Sequence, residues 1–335
     1  MPRQARIDAP GALHHIIIRG NEQRAIFLDD HDRDCFLDRL GRLLIETGTP
    51  CFAWCLMTNH VHLLLRTGQV PIAAIMRRLL TGYAQQFNRR YGRYGHLFQN
   101  RYKSILCEEE PYLSTLVQYI HLNPIRAGLI KNVAALAAYK YTGHGCLNGN
   151  HDYKWQDKQS VLLLFAGKTR IALRKYNDFV SAGIEYGKRP ELTGGGLVRS
   201  FGGWAEVRAV RDRGERIKGD ERILGSSQFV ELVLIAADEK MRRTAAYRHH
   251  GLDMEKLIRR TADYYKIAED EMKTNSKAAD IVRARALTCY LGVRELGVSA
   301  TEVARQLNIT PAAVSKAIRR GKHIAVAAVM KSIFY

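Results

Sequence analysis

The sequence predicts an α+β fold, a ferredoxin-like antiparallel sheet with helices packed on one face, followed by a mainly helical region that ends in a helix-turn-helix. Three observations predict it. Short β-branched or apolar runs at residues 12–19, 50–57 and 60–65 alternate with stretches whose apolar residues recur every three to four positions. Over the first 124 residues the order is strand, helix, hairpin, helix, strand, helix. The last hundred residues carry helical patterns and two capped helices about a tight turn.

The first strand is Ala12 to Arg19, closed by Gly20-Asn21. His14 and His15 adjoin within it and so face opposite sides; both rank below the histidines described next. Asp29-Asp30 starts a helix through Phe36, Leu37, Leu40, Leu43 and Leu44, which stops at Gly48. Pro50 to Met57 is the second strand, and Thr58-Asn59 turns it into the strand of His60 and His62. Pro71 opens a long helix through Ile72, Ile75, Met76, Leu79, Leu80, Tyr83 and Phe87. After the Tyr91–Gly95 turn, residues 97–106 supply a further strand or two. The helix from Tyr112 ends near Asn123, because Pro124 pushes the residue before it out of the α region.

Two constellations carry chemistry. In Thr58-Asn59-His60-Val61-His62-Leu63, imidazoles at i and i+2 of a strand point to one face with Cα atoms about 6.6 Å apart, close enough to grip one metal ion. In Tyr119-Ile120-His121-Leu122-Asn123-Pro124, a phenol and an amide stand one helical turn apart, while His121 points nearly the opposite way. An isolated His-x-His in an apolar strand is more often packing or chance, and a tyrosine on an apolar helix is usually core, the reading kept for Tyr112 and Tyr139.

Net charge is +19, from 52 Lys and Arg against 33 Asp and Glu, with a pI near 9.8, which favours a polyanionic partner such as nucleic acid. From Gly68 to Cys107 there is no acidic residue, and basic side chains interleave with Tyr83, Phe87, Tyr91, Tyr94, Phe98 and Tyr102. Basic groups track phosphates and aromatics stack bases, so Arg77, Arg78, Arg89, Arg90, Arg101, Lys103 and Arg126 are candidate DNA contacts. No apolar run is long enough to span a membrane, and the expected location is cytoplasmic. The six cysteines show no Cys-x-x-Cys pair and are expected to be buried thiols.

The blocks Pro2-Arg3, His15, Arg19-Gly20-Asn21, Asn59-His60-Val61-His62, Phe87-Asn88, Gly95-His96-Leu97-Phe98-Gln99-Asn100-Arg101-Tyr102-Lys103 and Tyr119 to Gly128 stand in one register. Over residues 2–146 they resemble the single-tyrosine HUH transposases of the insertion-sequence 200 type, above all the REP-associated tyrosine transposases. The resemblance implies a metal-dependent strand transferase that cuts single-stranded DNA at hairpin-marked sites, leaving a 5′-phosphotyrosine. It places the nucleophile at Tyr119, metal ligands at His60 and His62, and a third, amide ligand at Asn123, where many relatives carry Gln. Two nitrogens and an amide oxygen leave coordination sites open, which suits Mg2+ or Mn2+ better than a closed zinc site.

The domains read as residues 1–145, a middle region or linker over 146–240, and a helical DNA-binding domain over 241–335. Glycines at 194–196 and 202–203 mark loops, and the Lys-Ser/Thr ending of a phosphate loop is missing there. Ser299-Ala300-Thr301-Glu302 opens a helix to Leu307, Asn308-Ile309 turns, and Thr310-Pro311 caps a second helix through Arg320. Residues 250–320 resemble the DNA-binding domain of the replication initiator DnaA, with Ala312, Ala313, Ser315, Lys316, Arg319 and Arg320 placed to reach duplex DNA. The partners expected are single-stranded and hairpin DNA, with duplex DNA at the C-terminal domain. The chain is a monomer or a homodimer, according to whether Tyr119 completes its own site or a partner subunit's. Two other classes fit the same residues: a catalytically idle DNA- or RNA-binding regulator, and a metal phosphodiesterase that uses water.

Overall fold

In β1 (Leu13–Arg19), β2 (Cys51–Leu56) and β3 (His60–Arg66) nearly every side chain is buried, the mark of a sheet covered on both faces. The computed structural model describes residues 7–187, 189, 192–193, 220–249, 252–325 and 333. Pro2-Arg3 and the glycines at 194–196 and 202–203 lie outside the described residues. The strand order is β2-β3-β1-β4-β5, with β4 at Lys103–Cys107 and β5 at Ile223–Leu224. The first four strands pair antiparallel in a ferredoxin-like order. The sheet as a whole is mixed, because β5 adds a parallel edge strand: Leu106 N–H donates to the Arg222 carbonyl and Glu108 N–H to the Leu224 carbonyl, both at 2.7 Å.

Helices α1 (Asp30–Thr47) and α2 (Ile72–Arg90) cover one face, packing on Ile16, Ile18, Trp54, Val61, Leu63 and Leu65. The Asp29 carboxylate caps α1 by accepting from Asp32 N–H, and Gly48 ends it with φ +60, a conformation that favours glycine. Helix α3 (Glu109–His121) lies on the other face with Ile17, Phe52, Cys55 and Leu64, which corrects the expectation of helices on one face only. Burying a side chain such as Phe52 on this second face contributes roughly 2–3 kcal/mol. The all-apolar run of β2 is the trace of that double covering.

The same second core takes Leu136 from α5 (Val133–Ala138), Leu147 from α6 (Gly143–Leu147), Val161 from α7 (Lys158–Leu163), and Tyr176 and Val180 from α8 (Thr169–Ala182). Leu192 and Leu224 join it as well. Between α3 and α5 the four-residue helix α4 (Asn123–Arg126) begins at the expected proline stop. The chain divides into two compact units, Met1–Leu232 and Val233–Tyr335, so the described residues between 146 and 232 belong with the sheet.

The C-terminal unit is helical, with helices at Met254–Tyr265, Ala279–Arg294, Ala300–Gln306 and Pro311–Ile324 around Leu257, Leu287, Leu291, Val303, Leu307 and Val314. Ser299 and Thr310 cap the last two helices, and Asn308 turns between them at φ +51. Gly321 lets the last helix cross Ala279–Arg294 closely, since a Cβ there would collide with the Ala286 carbonyl oxygen. Five of the six cysteines are buried and Cys35 is half-buried; all are free thiols. Among the described residues no helix is long and apolar enough to cross a membrane.

Candidate active site

Alternation along β3 turns His60, His62 and Leu64 toward α3 and sends Val61, Leu63 and Leu65 beneath α1 and α2. The three-residue link Met57-Thr58-Asn59 is held by Met57 N–H donating to the His60 carbonyl at 2.8 Å, so the pair starts on a tightly fixed strand end. The His60 and His62 rings are 5.1 Å apart. His60 Nδ1 donates to Asn59 Oδ1 at 2.7 Å, and His62 Nδ1 lies 2.9 Å from His15 Nε2. With both Nδ1 atoms engaged, each Nε2 is the nitrogen left to face a ligand. Burial, then the Arg19 charge, pushes the His60 pKa down to about 4. Burial, then His15, His60 and Arg19, holds His62 well below the ordinary imidazole value. Both rings are therefore neutral near pH 7, the form that offers a lone pair to a metal.

Tyr119 sits against His62 within the same chain, its ring 5.9 Å from His62 and 6.0 Å from His15, edge-on to both. Helix α3 is anchored at both ends. Arg66 on β3 pairs with Glu109 at its start, and Gln118 near its end donates to the Phe179 carbonyl. Asn123 folds its amide nitrogen back onto the Tyr119 and Ile120 carbonyls, both at 3.2 Å; neither bond uses its carbonyl oxygen. The donor types these three side chains carry are two imidazole nitrogens and an amide oxygen. Among the described residues no three His, Cys, Asp or Glu side chains are placed to hold a metal ion. That set fits an open site completed by water or substrate oxygen, as Mg2+ and Mn2+ accept.

His121 is bonded away in the core. Asn148 donates to His144 Nε2, so His144 Nδ1–H donates to the Tyr176 hydroxyl at 2.7 Å, and that hydroxyl donates to His121 Nδ1 at 2.8 Å. Burial lowers His144 to about 4 and holds His121 well below its ordinary value.

Two neighbours join the site: His15, which the sequence ranked below His60 and His62, and Arg19, which it gave no role. His15 is fully buried and in direct contact with His62. Arg19 stands directly across from His60 in the β1–β3 register and is exposed. The signal was present in the period-2 pattern: His15, Ile17 and Arg19 share one face of β1, and pairing with β3 sets that face beside His62 and His60.

The candidate phosphate contacts divide by environment. Arg77, Arg89 and Arg101 are exposed and in no ion pair among the described residues. Arg78 pairs with Glu46, Arg90 with Asp29 and Asp32, and Lys103 donates to the Thr193 carbonyl. Arg77 and Arg78, with Arg39 and Arg42, line a groove of about 660 Å³ between α1 and α2, the helices on the sheet face away from His60. The guanidinium of Arg126 lies 5.1 Å from the Tyr119 ring centroid. Of the interleaved aromatics, Tyr83, Phe87 and Tyr102 are buried in the core, whereas Tyr94 is 97% exposed. In the C-terminal unit Ser315, Lys316, Arg319 and Arg320 are exposed along one helix. There a groove of about 760 Å³ is lined by Lys277, Arg285, Arg305, Asn308, Thr310 and Arg320.

Comparison with known proteins matches residues 10–123 to the family model of IS200-like transposases, and residues 254–320 to that of the bacterial DnaA helix-turn-helix. Both resemblances read from the sequence are thereby borne out over these segments. A solved structure of a REP-associated tyrosine transposase bound to a REP hairpin is similar at 14% identity and a TM-score of 0.37, covering 48% of this chain and 94% of that chain. No curated protein matches.

Proposed function

We propose, from the match of residues 10–123 to IS200-like transposases, that this chain cleaves and rejoins single-stranded DNA at hairpin-forming repeats through a 5′-phosphotyrosine intermediate. The observation that carries it is the position of Tyr119 against His62, both on the same side of one chain's sheet. The phenol of Tyr119 attacks the scissile phosphorus in line. The P–O3′ bond breaks, the phenolic proton is lost, and the 3′ oxygen takes up a proton. Attack of a 3′-hydroxyl on the phosphotyrosine reverses the balance and restores the phenol. His60, His62 and the Asn123 oxygen would hold the divalent ion, which supplies polarisation of the phosphate's non-bridging oxygens when bound. Arg19, beside His60, supplies a fixed positive charge for the same phosphate.

The contact of Tyr119 with His62 of its own chain supports a site completed within one subunit. The C-terminal unit, through Ser315, Lys316, Arg319 and Arg320, docks on duplex DNA and concentrates the protein near its substrate.

The experiment is incubation with end-labelled hairpin-bearing single-stranded DNA and Mn2+, followed by a denaturing gel. The wild type should retain label covalently, whereas Tyr119→Phe should bind DNA with the same affinity and form no adduct. Cutting without an adduct would assign a water-using phosphodiesterase, and binding without cutting a regulator.

A further inference from the structure

We infer that His15 is a positioning residue for the proposed metal site: by accepting a hydrogen bond from His62 Nδ1 it fixes the tautomer that turns the His62 Nε2 lone pair toward the ion. The inference rests on the reading of His60 and His62 as ligands and adds a residue to it. Three observations carry it. His15 Nε2 and His62 Nδ1 are 2.9 Å apart, at direct hydrogen-bond distance, and both rings are buried. The rings are stacked at 5.1 Å with planes 29° apart, so His15 also limits the rotation of His62. On the other ligand, the Asn59 side chain engages His60 Nδ1 at 2.7 Å in the same way.

A neutral imidazole carries one N–H, so His62 can present a lone pair at Nε2 only if the proton sits on Nδ1. Nδ1–H then needs an acceptor, and a buried donor left without one costs about 1–3 kcal/mol. His15 Nε2 is that acceptor when the His15 proton sits on its own Nδ1. The opposite tautomer, with His15 donating, would put a proton on His62 Nε2 and close it to a cation. Such supporting bonds orient a metal-binding imidazole, and losing one lowers metal affinity by about 10- to 100-fold. Asn59 is a surface partner at a turn, whereas His15 comes from the central strand β1. The arrangement therefore ties the His62 ring to the central strand of the sheet.

The test measures Mn2+ affinity of the full-length protein from the electron paramagnetic resonance signal of free Mn2+, with no DNA present. His15→Phe keeps a flat ring but accepts no hydrogen bond, and should weaken Mn2+ binding by about tenfold or more. His15→Gln sets a carbonyl oxygen near the position of Nε2 and should stay within about threefold of wild type. A second measurement needs no variant: long-range proton–nitrogen NMR of the metal-free wild type should find the His62 proton on Nδ1. Unchanged affinity in His15→Phe, an equal loss in His15→Gln, or a His62 proton on Nε2 would each overturn the inference. If His15→Phe fails to fold, the His15→Gln affinity and the wild-type tautomer decide. His60→Ala with His62→Ala separates the two levels. If that variant still binds Mn2+ normally, the metal reading itself is wrong. If it loses binding while His15→Phe does not, only the role of His15 falls.

Discussion

Arg126 clamps Tyr119 from two sides: its Cζ lies 5.1 Å from the Tyr119 ring centroid, and its guanidinium donates to the Tyr119 carbonyl at 3.1 Å. A second donation, to the Gly183 carbonyl at 3.2 Å, ties the same group to the end of α8. In the proposed reaction this cation stands over a ring that takes on phenolate character as it attacks. A cation–π contact of this kind is worth about 0.5–2 kcal/mol. Arg126→Met should therefore slow single-turnover adduct formation by roughly tenfold at saturating DNA. Weaker DNA binding with an unchanged single-turnover rate would instead return Arg126 to the role of phosphate contact.

The proposed ligands should not contribute equally. His60→Ala with His62→Ala should abolish metal-dependent cutting, whereas Asn123→Ala should cost about tenfold or less, since water can replace one neutral oxygen ligand. Metal titrations monitored through adduct yield make the comparison. An Asn123 variant as inactive as the double-histidine variant would show that water does not substitute for this amide.

Stability should fall on mild acidification. His60 and His144 are lowered to about 4, and His62 and His121 well below their ordinary value, all chiefly by burial. An unfolded histidine titrates near 6.5, so below that pH the unfolded chain binds protons that the folded chain refuses. The stability present above pH 6.5 is lost as pH falls toward 4, by up to about 1.4 kcal/mol per pH unit for each such histidine. Urea midpoints at pH 7.5 and 5 provide the check. His144→Gln, whose amide can still bond Tyr176, should show a shallower decline.

The C-terminal helix should carry salt-dependent duplex binding. Lys316→Ala with Arg319→Ala changes two exposed cations and leaves Val314 and Ala317 in the core. The log–log salt slope should flatten by roughly 0.9 for each phosphate that is no longer neutralised. Adduct formation on excess single-stranded DNA should be unaffected. An unchanged slope would mean that this helix packs against something other than DNA.

Local periodicity was enough to place most elements. The Asp29 cap, the Gly48 stop, the hairpin before His60, the break at Pro124 and the Ser299 and Thr310 caps all depend on side chains within four residues of one another. Chemistry close in sequence was legible for the same reason, since a two-residue spacing in a strand puts His60 and His62 on one face whatever surrounds them. Arginine partners were not legible: Arg90 meets Asp29 and Asp32 from 61 and 58 residues away.

The amino-acid order was thus sufficient for β1 to β4 and most of the helices, for two histidines on one strand, and for a tyrosine and an amide four residues apart where a helix stops. Which of these residues meet was settled by the folded chain. The antiparallel pairing of β1 with β3 sets His15 beside His62 and Arg19 across from His60, although 47 residues separate the first pair. Residues 146–240 read as a loose middle region because several of their apolar side chains are spaced for a core that other segments supply. Val161, Tyr176, Val180, Leu192 and Leu224 are buried only because the second face of the sheet and α3 give them a surface to cover. The physical reason is one of range: propensity, capping and alternation act over a few residues, whereas burial and hydrogen-bond satisfaction are settled among groups that only folding brings together.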